Sequence, residues 1–505
     1  METDPWHNRF SSVAAAFVTT PRPVVLQPNR LLSTMSWRRS PVATTEKRLK
    51  VNYKGAGWVV TGHWCASSTL SVSRASNLQY GSKVVDWKVN RKLGDGLILR
   101  TATMEDLPAI IEHNLIVHDE GVVGLTESIY RRMADFKLED SFIVVDSNSR
   151  KVVSHIMLLP VTWVIDGAEI PAAQMEMVGT RKEYRNRGLI QKLNEAYEER
   201  ALQRGVLIWV IAGIPYFYKM FGYKYAASLG GGLIVPSELI PKLKDGESEP
   251  VSVVRVNKKS LAQFLRFREK HAPKHTFYRK LRSIEYNYLD YADVSLTCYA
   301  YNFFTVREAG AIVGSFSLRC DEGVLNLAEL CLENPQHTAS VLRHVEAMAT
   351  KLGGVCIRVV PPGQEAVREI VIAIARNHFP RAYAWYVKIP SVASFLETIG
   401  SVLTMRLKGT EYDNFTGNLI ISSYRELYTL QFENGAFQKV TQGKDAGTAH
   451  YDAAFSPDAL TRLIMGYETL DELQLHEPDV SCRASMKPIV RLLFPRVTAN
   501  IEPEY

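Results

Sequence analysis

The chain holds six cysteines in 505 residues, at positions 65, 298, 320, 331, 356 and 482, and no two form a C-x-x-C pair. That spacing argues against a disulfide framework and a zinc site, and fits a reducing, cytoplasmic setting. No run approaches ~18 consecutive apolar residues, so no membrane span is expected. Two common phosphate-binding fingerprints are also missing, G-x-G-x-x-G and G-x-x-x-x-G-K-[ST]. Their absence disfavours a Rossmann dinucleotide site and a P-loop nucleotide site. What remains is ordinary globular composition, 46% hydrophobic and 22% charged. At about 100–200 residues per domain the length suggests two to four domains.

The formal net charge of +7 is unevenly spread. Residues 1–96 carry 14 Lys and Arg against 5 Asp and Glu, and the remainder carries 46 against 48. The basicity belongs to the first fifth of the chain and gives no reason to expect nucleic acid on the folded body. From Pro5 to Thr45 there is no acidic residue, while Arg9, Arg22, Arg30, Arg38 and Arg39 recur. No sustained helical or strand period runs through this part. It is read as a low-order extension or an artefact of an upstream start. A transit segment and a basic contact surface stay open.

Periodic structure is expected from Leu97. Thr103 reads as an N-cap followed by Glu105 and Asp106, with Leu107, Ile110, Ile111 and Leu115 as the apolar stripe of a helix. Ser128–Asp135 is a shorter helix candidate. Ser141–Asp146, Val152–Asp166 and Gln174–Thr180 read as strands. After the third, Arg185-Asn186-Arg187-Gly188-Leu189 opens an amphipathic helix with Ile190, Leu193, Tyr197 and Ala201 inward and Gly205 as its stop. Strand, short basic turn with glycine, helix is an arrangement that binds phosphate. Free N–H groups and the dipole at the helix start favour an anion, and Arg185 and Arg187 add charged donors.

Arg185-Asn186-Arg187-Gly188-Leu189-Ile190 resembles the pyrophosphate loop Arg/Gln-x-x-Gly-x-Gly/Ala of the GNAT acetyltransferase superfamily, with Ile190 where a small residue is usual. Further on, a strand over Val206–Gly213 leads to Tyr218-Lys219-Met220-Phe221-Gly222-Tyr223, similar to the Tyr-x-x-x-Gly-Phe/Tyr ending of that superfamily. The resemblance implies acetyl-CoA as co-substrate and no metal. It implies pantetheine along Val178, Gly179 and Thr180, and pyrophosphate on Arg185, Asn186, Arg187, Gly188, Leu189, Ile190 and Gln191. It also implies Tyr218 as the acid that protonates the departing thiolate. Tyr216 and Tyr223 are read as packing residues.

The rest of the chain repeats the order of elements. Ser260–Ala272 and His337–Gly354 read as helices, and Ala311–Arg319 and Leu325–Glu333 as strands, but no Arg-x-x-Gly loop precedes the second helix. This half is expected to be a degenerate GNAT-like domain without its own cofactor. From about residue 395, three short alternating strands with Glu433-Asn434-Gly435 as a hairpin signal precede a helix capped by Ser456, with Pro457 at its first position and Asp458 behind it. That block resembles the sterol-carrier-protein-like domain of Eis-type (enhanced intracellular survival) enzymes.

The expected fold is α/β (α+β), with tandem GNAT-like mixed sheets and then a sterol-carrier-like domain. The divisions fall at 1–96, 97–240, 241–394 and 395–505. The expected activity is N-acetyl transfer by direct attack of a primary amine on a small molecule or peptide. The resemblance adds the α-carboxylate of Tyr505 as a base and a hexameric assembly. A non-catalytic acyl-CoA-binding regulator and a lipid carrier are the rival readings. Asp119 and Glu120, in the stretch that shapes GNAT acceptor pockets, could attract a cationic amine or simply be solvated.

Overall fold

The computed structural model describes residues 88–501, except 119, 134, 230, 272–275, 281–301, 322–323, 352–355, 361–363, 376–382, 446, 448–449 and 498. The first sheet opens before Leu97: β1 (Asn90–Gly94) pairs antiparallel with β2 (Leu97–Thr101). The extension placed at 1–96 therefore overlaps the sheet. An edge strand whose residues are all exposed or half-buried carries no apolar alternation to announce it.

Thr103 does begin a helical segment. Its N–H and hydroxyl both bond Asp106, which also receives two hydrogen bonds from Arg100 at 2.6 and 2.7 Å. In α1 (Leu107–Val117), Leu107 and Ile110 are buried, but Leu115 is exposed and the covered face runs through His113 and Asn114 instead. A polar network makes that burial tolerable. His113 Nδ1 donates to the Val152 carbonyl at 3.1 Å, and the Asn114 amide donates to Thr126 at 3.0 Å. The Asn114 oxygen accepts from His155 Nδ1 at 3.0 Å, and His155 Nε2 meets the Ser141 hydroxyl at 3.0 Å. Thr126 lies on α2 (Gly121–Arg132), which starts earlier than the expected Ser128–Asp135.

Next come β3 (Ser141–Asp146), β4 (Lys151–Ile165) and β5 (Ala168–Thr180), the last two forming a long hairpin. Helix α3 (Leu189–Gln203) lays Leu189, Leu193, Ala196, Tyr197 and Ala201 on one face of this sheet. Buried Asp140 accepts from Arg200 at 2.8 Å and pairs with Arg204, fixing the far end of α3. β6 (Ile208–Ile211), a single turn over Phe217–Phe221 and β7 (Lys224–Leu229) complete this part of the chain.

Among the described residues a second sheet has six strands, in the order β8-β14-β13-β12-β11-β9. Its strands and flanking helices are β8 (Leu233–Val235), β9 (Ser252–Arg255), α4 (Leu261–His271), β11 (Asn302–Glu308), β12 (Ala311–Asp321), β13 (Val324–Leu332), α5 (Thr338–Lys351), β14 (Cys356–Val359) and α6 (Glu365–Ala375). The intervening β10 (Phe277–Arg279) instead pairs with β4 of the first sheet. In β13, Glu329 has φ +55° at a bulge opposite Ser315–Ser317, and parallel pairing to β14 ends at Leu327↔Val359. Beyond that point the Gln364 amide takes both backbone groups of Leu332, accepting from its N–H at 2.7 Å and donating to its carbonyl at 2.8 Å.

The chain then returns to the first sheet. β15 (Tyr383–Lys388) lies between β6 and β7, antiparallel to both, so this sheet extends beyond residues 97–240. The last block has α7 (Val392–Thr398), α8 (Gly400–Leu407), β16 (Gly417–Ser422), β17 (Glu426–Glu433), β18 (Ala436–Lys444) and β19 (Ala453–Ala454). It continues with α9 (Pro457–Ile464), α10 (Leu470–His476), β20 (Ser481–Cys482), α11 (Lys487–Leu493) and β21 (Ala499–Asn500). Asn434 and Gly435 make the expected hairpin at positive φ, and Ser456 accepts from the Ala459 N–H at 3.1 Å as the expected cap. The core of this block runs into one face of the first sheet through Trp163, Phe277 and Trp385. Among the described residues no helix is long and apolar enough to cross a membrane.

Candidate functional site

The parallel pairing of β5 with β6 runs only from Ala172↔Ile208 to Gln174↔Val210. Beyond Gln174 the strands part, although β5 keeps β4 on its other side as far as Thr180. The splay follows from a bulge. Met157 faces Glu176 while His155 faces Gly179, and Met177 takes φ +51°. One extra residue in β5 bends the strand and turns Val178–Thr180 away from β6. The backbone edge left there can pair with an extended, amide-bearing ligand.

Helix α1 closes one side of this slot. A Cβ on Gly179 would come within 2.3 Å of Val117 Cγ1 and 3.3 Å of His118 Nε2, so the helix end rests on bare backbone. Burial, with the charges of Arg181 and His118, pushes His113 down to about 4, so its ring stays neutral at physiological pH.

At the end of the slot the chain turns through Lys182–Tyr184 into α3. Asn186 (φ +62°) and Gly188 (φ +69°) are both left-handed, and Gly188 is the residue before the helix. The N–H groups of Asn186, Arg187, Gly188, Leu189, Ile190 and Gln191 find no acceptor among the described residues. Alternating left-handed residues ahead of a helix start make a concave row of donors suited to an anion. The two arginines are not equivalent. Arg185 Nε donates to the Thr180 carbonyl at 3.2 Å, while Arg187 is exposed over the Tyr184 ring at 5.2 Å. Tyr184 is itself tied to Asp146 at 2.7 Å. Ile190 is half-buried and packs into the core under α3.

Tyr218, in the turn after β6, is buried at 5% exposure. Its ring packs on Phe217, Tyr223 and Tyr386 with centroids 5.1, 6.2 and 5.6 Å away. Burial, and after it the Glu176 carboxylate, hold its phenol well above the ordinary range, so it is protonated at neutral pH. Tyr223 is fully buried as packing, but Tyr216 is 71% exposed at φ +68° and is not a core residue.

Sequence reading missed Glu176. It sits at the bulge, partly buried, and receives the Gln174 amide at 2.7 Å. No cation pairs with it among the described residues. Burial pushes it up to about 7, against hydrogen bonds from Gln174 and the Met177 N–H. A polar residue in an alternating strand reads as solvent-facing, so no sequence signal marked it. Tyr505 and Asp119 lie outside the described residues. Glu120 is exposed just before α2.

Residues 99–226 match the family model described as an acetyltransferase (GNAT) domain. No curated protein matches the chain. Among solved structures it is similar to a probable N-acyltransferase from Enterococcus faecalis V583, at 15% identity and a TM-score of 0.59 over 83% of this chain and 100% of that one. A GCN5-related N-acetyltransferase from Anabaena variabilis aligns at 14% identity and TM-score 0.58, over 80% of this chain and 99% of that one. Eis1 from Mycobacterium abscessus aligns at 12% and 0.52, over 81% of this chain and 100% of that one. The fold is thus a mixed α/β arrangement consistent with tandem GNAT-like domains, and the chain is an acyltransferase by its domain.

Proposed function

We propose that the chain transfers the acetyl group of acetyl-CoA to a primary amine on a small molecule or peptide by direct attack. The observation that carries this reading is the convergence at one slot. A strand edge at Val178–Thr180 that has parted from β6 leads to a row of N–H groups from Asn186 to Gln191 with no acceptor among the described residues, with Tyr218 and Glu176 electrostatically coupled beside it. In this reading pantetheine pairs with the edge, and pyrophosphate takes the donor row with Arg185 and Arg187 near it. The amine nitrogen forms a bond to the thioester carbon, and the carbon–sulfur bond breaks. The thiolate takes the Tyr218 proton, and Glu176 takes the proton lost by the ammonium.

The α-carboxylate of Tyr505 is the second candidate base. The hydrogen bond at 3.1 Å from Trp385 Nε1 to the Ile501 carbonyl supports it, since it brings the preceding residues onto β15. The last block is read as a sterol-carrier-like domain in an Eis-type arrangement, a reading that the alignment over all of Eis1 supports.

The deciding measurement is Tyr218→Phe. Its turnover should fall by roughly 10²–10⁴ while acetyl-CoA affinity stays within a few-fold, with Tyr223→Phe far less affected. Parental turnover in Tyr218→Phe would sink the acid assignment. Glu176→Gln compared with a chain lacking Tyr505 then decides between the two bases.

A further inference from the structure

The turn that carries Tyr218 is held by a strand that comes much later in the chain. After β6 the carbonyls of Gly213 and Ile214 leave the sheet with no ladder partner. Tyr383 Oη donates to the first at 2.8 Å and Tyr386 Oη to the second at 3.2 Å. At the other end of the turn, Lys388 Nζ donates to the Phe221 carbonyl at 3.0 Å. All three donors lie on β15, more than 160 residues further along the chain. Three carbonyls bracketing Tyr218 are thus fixed by one strand.

Two of these donors are themselves oriented. Tyr225 on β7 accepts from the Tyr216 N–H at 3.1 Å and donates its own proton to Tyr386 Oη at 2.5 Å. Tyr386 therefore has its proton free for Ile214, and the bond to Tyr216 N–H holds that residue in its left-handed conformation. Lys388 is anchored by Glu198 on α3 at 2.7 Å and lies over the Trp209 ring at 5.1 Å. Burial holds the Tyr383 and Tyr386 phenols above the ordinary range, so both stay protonated as donors.

We propose that Tyr383, Tyr386 and Lys388 are positioning residues that aim the Tyr218 hydroxyl at the departing thiolate. The second half of the chain then contributes to the chemical step of the first. This rests on the reading of Tyr218 as the general acid. A phenol in a short turn needs its backbone fixed on both sides to present its proton along one direction.

The test is a cycle in the full chain with acetyl-CoA and an amine acceptor. Tyr383→Phe combined with Tyr386→Phe removes two hydroxyls and no ring. Turnover should fall about tenfold or more, with KM for acetyl-CoA within roughly threefold. In a Tyr218→Phe background the same pair should change turnover less than about twofold, because it acts through a proton no longer there. A fall that persists in full in that background, or parental turnover of the pair, overturns the proposal. If the pair fails to fold by circular dichroism, Lys388→Met is put through the same cycle and read by the same two outcomes. Tyr218→Phe at parental turnover removes both the acid and this inference. A tenfold fall that multiplies removes only the inference.

Discussion

Gly213 and Tyr218 fit so closely that a methyl group on the glycine would lie 2.1 Å from Cε2 and 2.3 Å from Cδ2 of the tyrosine ring. The glycine is needed for space, since its φ is not among the positive ones. Gly213→Ala should therefore push the phenol out of place. Turnover should drop at least tenfold with acetyl-CoA affinity held within a few-fold, as read by steady-state kinetics beside calorimetry. Unchanged turnover would mean that the ring position is immaterial.

The donor row ahead of α3 depends on left-handed backbone at Gly188, where an added Cβ meets nothing within 4 Å. Gly188→Ala thus tests conformation without a clash. Its acetyl-CoA dissociation constant should rise several-fold. Arg185→Ala with Arg187→Ala should raise it roughly ten- to a hundredfold, at about 1–2 kcal/mol per charged hydrogen bond. Calorimetry showing parental affinity in both variants would remove the phosphate site from this loop.

Glu176 ties the rate to pH. A base pushed up to about 7 is half protonated there, so kcat/KM should fall on the acid side of pH 7 and level off above pH 8. Glu176→Gln should lose most activity and that acidic limb together. The stability effect has the opposite sense. A carboxyl raised above its unfolded value stabilises the fold fully only below the unfolded value, and that contribution is lost as pH rises toward 7. Glu176→Gln should therefore melt higher than the parent at pH 8 and converge with it near pH 4. An acidic limb that survives in the variant assigns the base elsewhere.

The Gln364 amide holds both backbone groups of Leu332, three residues past the Glu329 bulge, as Thr180 is three past the Met177 bulge. The second sheet thus closes its strand edge with an amide from outside any anion loop, whereas the Thr180 carbonyl is taken by Arg185 of the donor loop itself. Titration should give one acetyl-CoA per chain, and Arg185→Ala with Arg187→Ala should weaken that single site without exposing another. Two sites of comparable affinity would contradict it.

Deleting residues 1–86 should leave activity intact, whereas deleting 1–96 should not. The longer cut removes β1, buried Val89 and the 2.5 Å ion pair between Arg91 and Glu199 on α3. Thermal melting of the two truncations, with the longer one clearly lower, is the expected result.

Much of this was legible where the signal is local. Ser141–Asp146 is a strand end to end because a continuous run of aromatic and β-branched residues, Phe142 to Val145, stands between polar ends. Ser456 and Pro457 announce a helix by cap chemistry, and the turn around Gly188 by composition. Local signals failed where partners are remote. Leu115 looked like core, but the helix face there is decided by bonds from His113 and Asn114 to residues on β4 and α2. Nothing in Tyr383–Lys388 names β6 and β7 as its neighbours, since pairing over such a separation leaves no periodic trace.

The placement of β15 also sets an order of events during synthesis. When Leu229 leaves the ribosome, β6 and β7 already exist, yet the strand that separates them does not. At about 5–20 residues per second, roughly eight to thirty seconds pass before Tyr383 emerges. Through that interval the nascent chain carries two strands that must not zip together directly. A premature β6–β7 pairing would have to open again to admit the late strand. Synonymous changes that slow translation between codons 230 and 382 lengthen the exposure, which makes yield of active protein sensitive to elongation speed in a stretch that encodes none of the proposed acetyl-CoA contacts.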